Sequence, residues 1–248
     1  MRVKPLIVFC HGSGDTGAGA QAWIQSLVPS SVYQQWDWIF PTAEPIPYQL
    51  NGGALSSIWY DRIGGFDPSF PEQTVSIERS TDRLLALLEE QVQHHGRDPQ
   101  RIIIGGFSMG GAIAYQTAIR WQARISASSS ATVSSSLGAV FGLSCYLNDD
   151  SKVWSILLNE QTNKEPKALA HWPPIFVAHG AADDFILPKW GKATCEKLRQ
   201  YGIATSFRLI PNAHHEMTPQ EISELLEFLS KTIKPEESNA SEEDKSDL

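Results

Sequence analysis

The chain is punctuated by six short apolar runs, Leu6–Cys10, Trp38–Phe40, Arg101–Ile104, Ala139–Phe141, Ile175–Ala178 and Ser206–Ile210. Runs of this length, without regular polar alternation, predict strands buried on both faces. Segments between them repeat at helical spacing. Ile77, Leu84, Leu88 and Val92 share one face; so do Trp190, Ala193, Lys197 and Tyr201, with Gly202 placed to cap the C-terminus. The last helix has the clearest start. Thr218-Pro219-Gln220-Glu221 reads as N-cap, first-turn proline and capping-box glutamate ahead of Ile222, Leu225, Leu226, Leu229 and Ile233. Alternating strands and helices predict the α/β class, with a mostly parallel central sheet and helices on both faces.

Two stretches depart from this pattern. Residues 41–75, rich in Pro and Gly and carrying Trp59-Tyr60-Asp61, read as irregular, and the serine run 126–136 reads as a surface loop. After Pro235 the apolar pattern stops, and residues 236–248 hold six acids against one base. Such a segment buries too little apolar surface to offset its ordering entropy. Residues 1–234 are therefore expected to form one domain and 235–248 a disordered acidic tail.

Charge narrows the choice of partner. The tail contributes −5 of the net −8, which leaves −3 on the body with no basic run. That gives nucleic acid no phosphate-binding footing and anionic membranes little attraction. Cys10, Cys145 and Cys195 are odd in number and lack metal spacing, with Cys10 and Cys145 in apolar runs that read as buried strands, so free thiols in a reducing compartment are expected. The apolar run ending at Cys10 is too short for a signal peptide or membrane span, and a cytoplasmic location follows.

Candidate chemistry centres on Gly106-Phe107-Ser108-Met109-Gly110, which follows one predicted strand and opens a helical pattern. This is the setting of a nucleophile elbow, a turn so sharp that flanking glycines are needed where backbones pass closely. A serine hydroxyl needs a histidine base, oriented by an acid, and in this fold the chain order is Ser, Asp or Glu, His. Asp183-Asp184 follows the fifth run and His214-His215 the sixth, and spacing alone does not choose within either pair. An oxyanion hole needs two backbone N–H groups. Met109 is the candidate for one, and Ser13, in the turn His11-Gly12-Ser13-Gly14-Asp15, for the other. No histidine pair has metal-ligand spacing, so no metal site is expected.

Several motifs occur together in one order: His-Gly-Ser-Gly-Asp-Thr-Gly at 11–17, Trp59-Tyr60-Asp61, Gly-Gly-Phe-Ser-Met-Gly-Gly at 105–111, Leu-Ser-Cys-Tyr-Leu at 143–147, and His179-Gly180 with Asp183. From about residue 5 to 234 the chain resembles the acyl-protein thioesterase and lysophospholipase-like carboxylesterases, with the lysophospholipase-like branch most similar through Pro-Asn-Ala-His-His-Glu at 211–216. The resemblance implies an α/β-hydrolase fold and a cofactor-free cytosolic serine hydrolase. By its pattern Ser108 is the nucleophile, Asp183 the acid and His215 the base. Implied substrates are small acyl esters or thioesters, S-acylated proteins or lysolipids. Ser13 and Met109 replace the leucine and glutamine usual in thioesterases, and with the irregular 41–75 segment at the mouth they favour short acyl chains. The competing reading is a non-catalytic binding or scaffold protein on the same fold.

Overall fold

The computed structural model describes residues 3–127, 135–162 and 172–233. Its centre is a six-stranded sheet of β1 (Leu6–Cys10), β2 (Asp37–Ile39), β5 (Ile102–Phe107), β6 (Ala139–Leu143), β7 (Ile175–Gly180) and β8 (Thr205–Ile210). The spatial order is β2-β1-β5-β6-β7-β8, and every neighbouring pair is parallel. All six apolar runs are strands, but burial on both faces holds for the inner four. Edge strand β2 is half-buried throughout, and β8 exposes Arg208 and Leu209, because each lacks a neighbour on one side.

Alternate residues along the strands feed two cores. Val8, Ile104, Val140 and Val177 pack with α3 (Thr74–Gln93), α4 (Met109–Ala127), α5 (Lys152–Thr162) and α6 (Pro188–Gln200). Ile7, Phe9, Ile103, Phe141 and Phe176 face α1 (Gly17–Leu27) and α7 (Pro219–Thr232) instead. The expected face of α3 is correct: Ile77, Leu84 and Leu88 are buried. The expected face of α6 is not. Gly191, Thr194, Cys195 and Leu198 are buried, while Ala193 is exposed and Lys197 half-buried. The helix is turned so that its small residue meets the sheet; a Cβ on Gly191 would stand 2.6 Å from His179 Nδ1. Gly202 does end α6, with φ +79° and a paired closure in which Gly202 N–H donates to Arg199 O and Ile203 N–H to Leu198 O.

Residues 41–75 are more ordered than expected. β3 (Pro45–Tyr48) and β4 (Ala54–Ser57) form an antiparallel hairpin, closed through Gly52 and Gly53 at positive φ. In the serine run, Ser126 and Ala127 belong to α4, and residues 128–134 lie outside the described residues, as does the acidic tail. Cys10, Cys145 and Cys195 are free and buried, although Cys145 sits just beyond β6 rather than in it.

At the start of α7 the Thr218 hydroxyl accepts from the Glu221 N–H at 3.1 Å, as a capping box requires. The return contact, from Thr218 N–H to the Glu221 carboxyl, falls short of hydrogen-bond geometry, because Glu221 faces the buried side of the helix. Burial pushes this carboxyl up to about 8 against the pull of the Thr218 N–H, with Glu224, Asp183 and Glu216 adding negative potential. Between its ordinary 4.5 and about 8 the folded state holds a proton that the unfolded state releases, so stability falls as pH rises through that window. Glu221→Gln keeps the neutral form at every pH. Thermal melts are expected to show the variant gaining on the wild type from pH 5 to pH 8; parallel curves would contradict this.

Candidate active site

Four strand ends converge at the carboxyl edge of the sheet, where open parallel sheets build their sites. Ser108 is the single residue between β5 and α4, and its φ is +54°, a left-handed conformation unusual for a side-chain-bearing residue. The turn is held from two sides: Ser108 N–H donates to Leu143 O at 2.8 Å, and Ser108 O accepts from Gly111 N–H at 3.0 Å. Its glycines are required by the end of β1. A Cβ on Gly106 would lie 2.2 Å from the Cys10 carbonyl oxygen, and one on Gly110 2.0 Å from the same atom.

Asp183 lies three residues beyond β7 and His215 five beyond β8. Ser108 Oγ stands 3.0 Å from His215 Nε2, and His215 Nδ1 stands 2.8 Å from Asp183 Oδ2. Among the expected pairs, Asp183 is buried and Asp184 exposed, while His215 is half-buried and His214 exposed, so one member of each pair joins the line of hydrogen bonds from Ser108 and its neighbour faces solvent. Phe107 and Phe185 clamp the His215 ring, with centroids at 4.8 and 5.1 Å. Burial raises the Asp183 carboxyl, but hydrogen bonds from His179, His215 and the Ile186 N–H outweigh it and hold the group well below the usual carboxylate range. An ionised Asp183 is a pure acceptor, so His215 carries its proton on Nδ1 and Nε2 is left to accept from Ser108.

His179, in β7, is not among the candidate site residues of the sequence. It is fully buried, and its Nε2 lies 2.7 Å from Ile186 O and 3.3 Å from Asp183 Oδ2. A carbonyl only accepts, so His179 Nε2 bears a proton that also points at Asp183. With Phe185 and Ile186 N–H groups donating to Asp183 Oδ1 at 3.1 and 2.9 Å, the carboxylate is fixed in orientation. The signal was the i, i+4 spacing of His179 and Asp183, which a strand end does not normally bring together.

Ser13 and Met109 both line the cavity over Ser108. Met109 occupies the first position of α4, where the helix has no use for the N–H. The Ser13 loop is tied from below. His11 Nε2 accepts from Ala43 N–H at 3.0 Å, which places the ring proton on Nδ1, 2.7 Å from Gly12 O. Trp59 Nε1–H donates to His11 O at 2.9 Å, and Gly14 N–H donates to Ser57 O at the end of β4. Trp59 thus braces this loop and stands apart from Ser108, His215 and Asp183. The cavity measures about 370 Å³ and is walled by Trp23, Phe66, Phe107 and Phe185. No three His, Cys, Asp or Glu side chains among the described residues are grouped to hold a metal ion.

Residues 1–233 match the model of the phospholipase/carboxylesterase family. The chain belongs to that family. Among its relatives, mouse lysophospholipase-like protein 1 is 33% identical over 97% of this chain and 92% of its own length. Acyl-protein thioesterase 1 of Emericella nidulans is 31% identical over 93% and 91%. The crystal structure of Zea mays acyl-protein thioesterase 2 superposes with a TM-score of 0.73 at 25% identity, covering 94% of this chain and 96% of that one. Arabidopsis thaliana SOBER1, at 20% identity with the same TM-score over 94% and 100%, shares the fold. This protein is an α/β-hydrolase of the ester-cleaving kind, and acyl esters or thioesters are its substrate class.

The two acids give a direct comparison. Asp183→Asn is expected to lower esterase kcat about 10³- to 10⁴-fold by losing the tautomer control that an ionised acid exerts. Asp184→Asn is expected to leave it within a few-fold, and equal effects of the two substitutions on steady-state rates would contradict the arrangement.

Proposed function

We propose that Ser108 is the nucleophile, His215 the general base and Asp183 its orienting acid in hydrolysis of short-chain carboxylic esters or thioesters. Ser108 Oγ attacks the acyl carbonyl while His215 Nε2 takes its proton. The imidazolium so formed faces an ionised Asp183, and the alkoxide develops against the N–H groups of Ser13 and Met109. Collapse expels the alcohol or thiol, protonated by His215, and leaves an acyl-Ser108 ester. Water then enters, loses a proton to His215 and releases the acid. The reading rests on one observation, the unbroken path from Ser108 Oγ to His215 Nε2 at 3.0 Å and on from Nδ1 to Asp183 at 2.8 Å.

The aromatic walls of the cavity favour short acyl chains. At about 370 Å³ the cavity is near the lower limit of ligand sites, roughly 300–1,000 Å³. It must accept parts of both the acyl and leaving groups between aromatic rings. Acyl-protein thioesters and lysophospholipids, the substrates in the names of relatives, fall within the proposed class where their acyl chain is short. We place the activity in the cytoplasm, a reducing compartment in keeping with the free, buried Cys10, Cys145 and Cys195.

A series of 4-nitrophenyl esters and matching thioesters with acyl chains from two to sixteen carbons tests this. Acetyl to hexanoyl substrates are expected to give the highest kcat/KM, and Ser108→Ala to abolish turnover and labelling by a fluorophosphonate reagent. Fastest turnover of palmitoyl substrates would refute the chain-length claim, and retained activity in Ser108→Ala would refute the nucleophile.

A further inference from the structure

Arg62 stands on the wall of the same cavity that holds Ser108 and His215. It is 7% exposed, an uncommon depth for a cation. Burying a charge is costly unless an opposite charge or a full set of hydrogen bonds compensates it. Among the described residues no carboxylate forms an ion pair with Arg62. Its Nη1 donates to Tyr146 Oη at 2.5 Å and its Nη2 to Tyr60 Oη at 2.9 Å, both neutral phenols, and Nε is buried without a partner. The rings of Tyr60, Phe66 and Tyr146 lie 5.1 to 5.6 Å from the guanidinium carbon, which offsets part of the cost through their negative faces.

The surroundings keep this cation rigid and near the chemistry. Tyr146 Oη also donates to Phe66 O, so Arg62, Tyr146 and the 62–66 loop lock one another. Phe66 packs on Phe185 at 4.6 Å, and Phe185 packs on His215 at 5.1 Å, a continuous aromatic wall from the cation to the base. Beside it on the cavity wall is Tyr48, whose buried hydroxyl has the Ser13 side chain next to it but no hydrogen bond of good geometry. The one acid among the described residues of the cavity wall, Asp15, is half-exposed, and its Oδ1 already accepts from Thr16 N–H at 2.7 Å. Arg62 is the one arginine or lysine among them.

We propose that Arg62 is a specificity-determining residue, selecting esters and thioesters that carry a carboxylate besides the bond to be cleaved. This rests on the hydrolase reading above and adds the substrate's charge. On the cavity wall a carboxylate meets a fixed cation, so a charged substrate gains binding that a neutral one of equal size does not. The guanidinium takes no part in bond making; its role is to position.

Two matched substrate pairs test the proposal by placing the charge on either side of the scissile bond. On the acyl side, 4-nitrophenyl hydrogen glutarate is compared with 4-nitrophenyl hexanoate; on the leaving-group side, 4-acetoxybenzoate with its methyl ester. The wild type is expected to favour the anion in at least one pair by about tenfold or more in kcat/KM, the scale of a hydrogen bond to a charged group. Arg62→Gln should abolish that preference, bringing the anion-to-neutral ratio of kcat/KM to about one or below whatever the change in absolute rate. If that variant does not fold, Arg62→Lys, which keeps the charge but loses the planar fork, should show a reduced preference. A wild type that cleaves the neutral esters as well as or better than the anions in both pairs overturns the proposal alone. Failure to cleave any of the four, with no fluorophosphonate labelling of Ser108, overturns the hydrolase reading and this proposal with it.

Discussion

The close approach of two backbones beneath Ser108 governs the rest of the site. The end of β1 runs so near the turn after β5 that the Cys10 carbonyl would collide with any side chain at Gly106 or Gly110. That proximity brings the loop bearing Ser13 beside the residue after the elbow and lets Ser108 stand at φ +54° above the sheet. A left-handed serine costs on the order of 1–3 kcal/mol, and it persists because β6 and the first turn of α4 over-determine it through the Leu143 and Gly111 hydrogen bonds. Parallel strand order does the remainder. β5 at the centre, with β7 and β8 to one side and β1 to the other, delivers Ser108, Asp183, His215 and Ser13 to one edge.

Around that frame, buried polar groups are satisfied where orientation matters. Asp183 collects contacts from two histidines and two backbone N–H groups, and His11 ties its own loop to Ala43. Two ionisable groups stand apart from this economy. Glu221 is neutralised by burial, whereas Arg62 cannot be, since a guanidinium does not give up its proton. A group that cannot shed its charge must find other compensation, and in Arg62 the aromatic rings supply part of it.

Much of this was legible in the chain because inner strands of a parallel sheet are apolar on both faces and announce themselves as unbroken runs. The elbow glycines, the Thr218 cap and Gly202 were equally readable, each being a local requirement with a local signal. What failed was information held between elements. The β3–β4 hairpin was hidden by Pro45 and Pro47, residues tolerated because the hairpin is not part of the central sheet, and α1 opens on Gly17 and Gly19, poor helix formers. The face of α6 depended on Gly191 nesting against His179, which lies outside the helix itself. Spacing could not separate Asp183 from Asp184 or His214 from His215, because side-chain direction after a strand end is a tertiary property. Arg62 carried no signal at all: one residue past Trp59-Tyr60-Asp61, it looks like any surface arginine until its burial is known.

The central claim is that Ser108 forms a covalent acyl intermediate during turnover. Rapid mixing with 4-nitrophenyl acetate, acid quenching before the steady state and peptide mass spectrometry test it directly. The account predicts a burst of 4-nitrophenol and an acetyl group on the peptide at Ser108 that decays with the turnover rate. An acetyl group on another residue, or turnover with Ser108 unmodified at every time point, would contradict it.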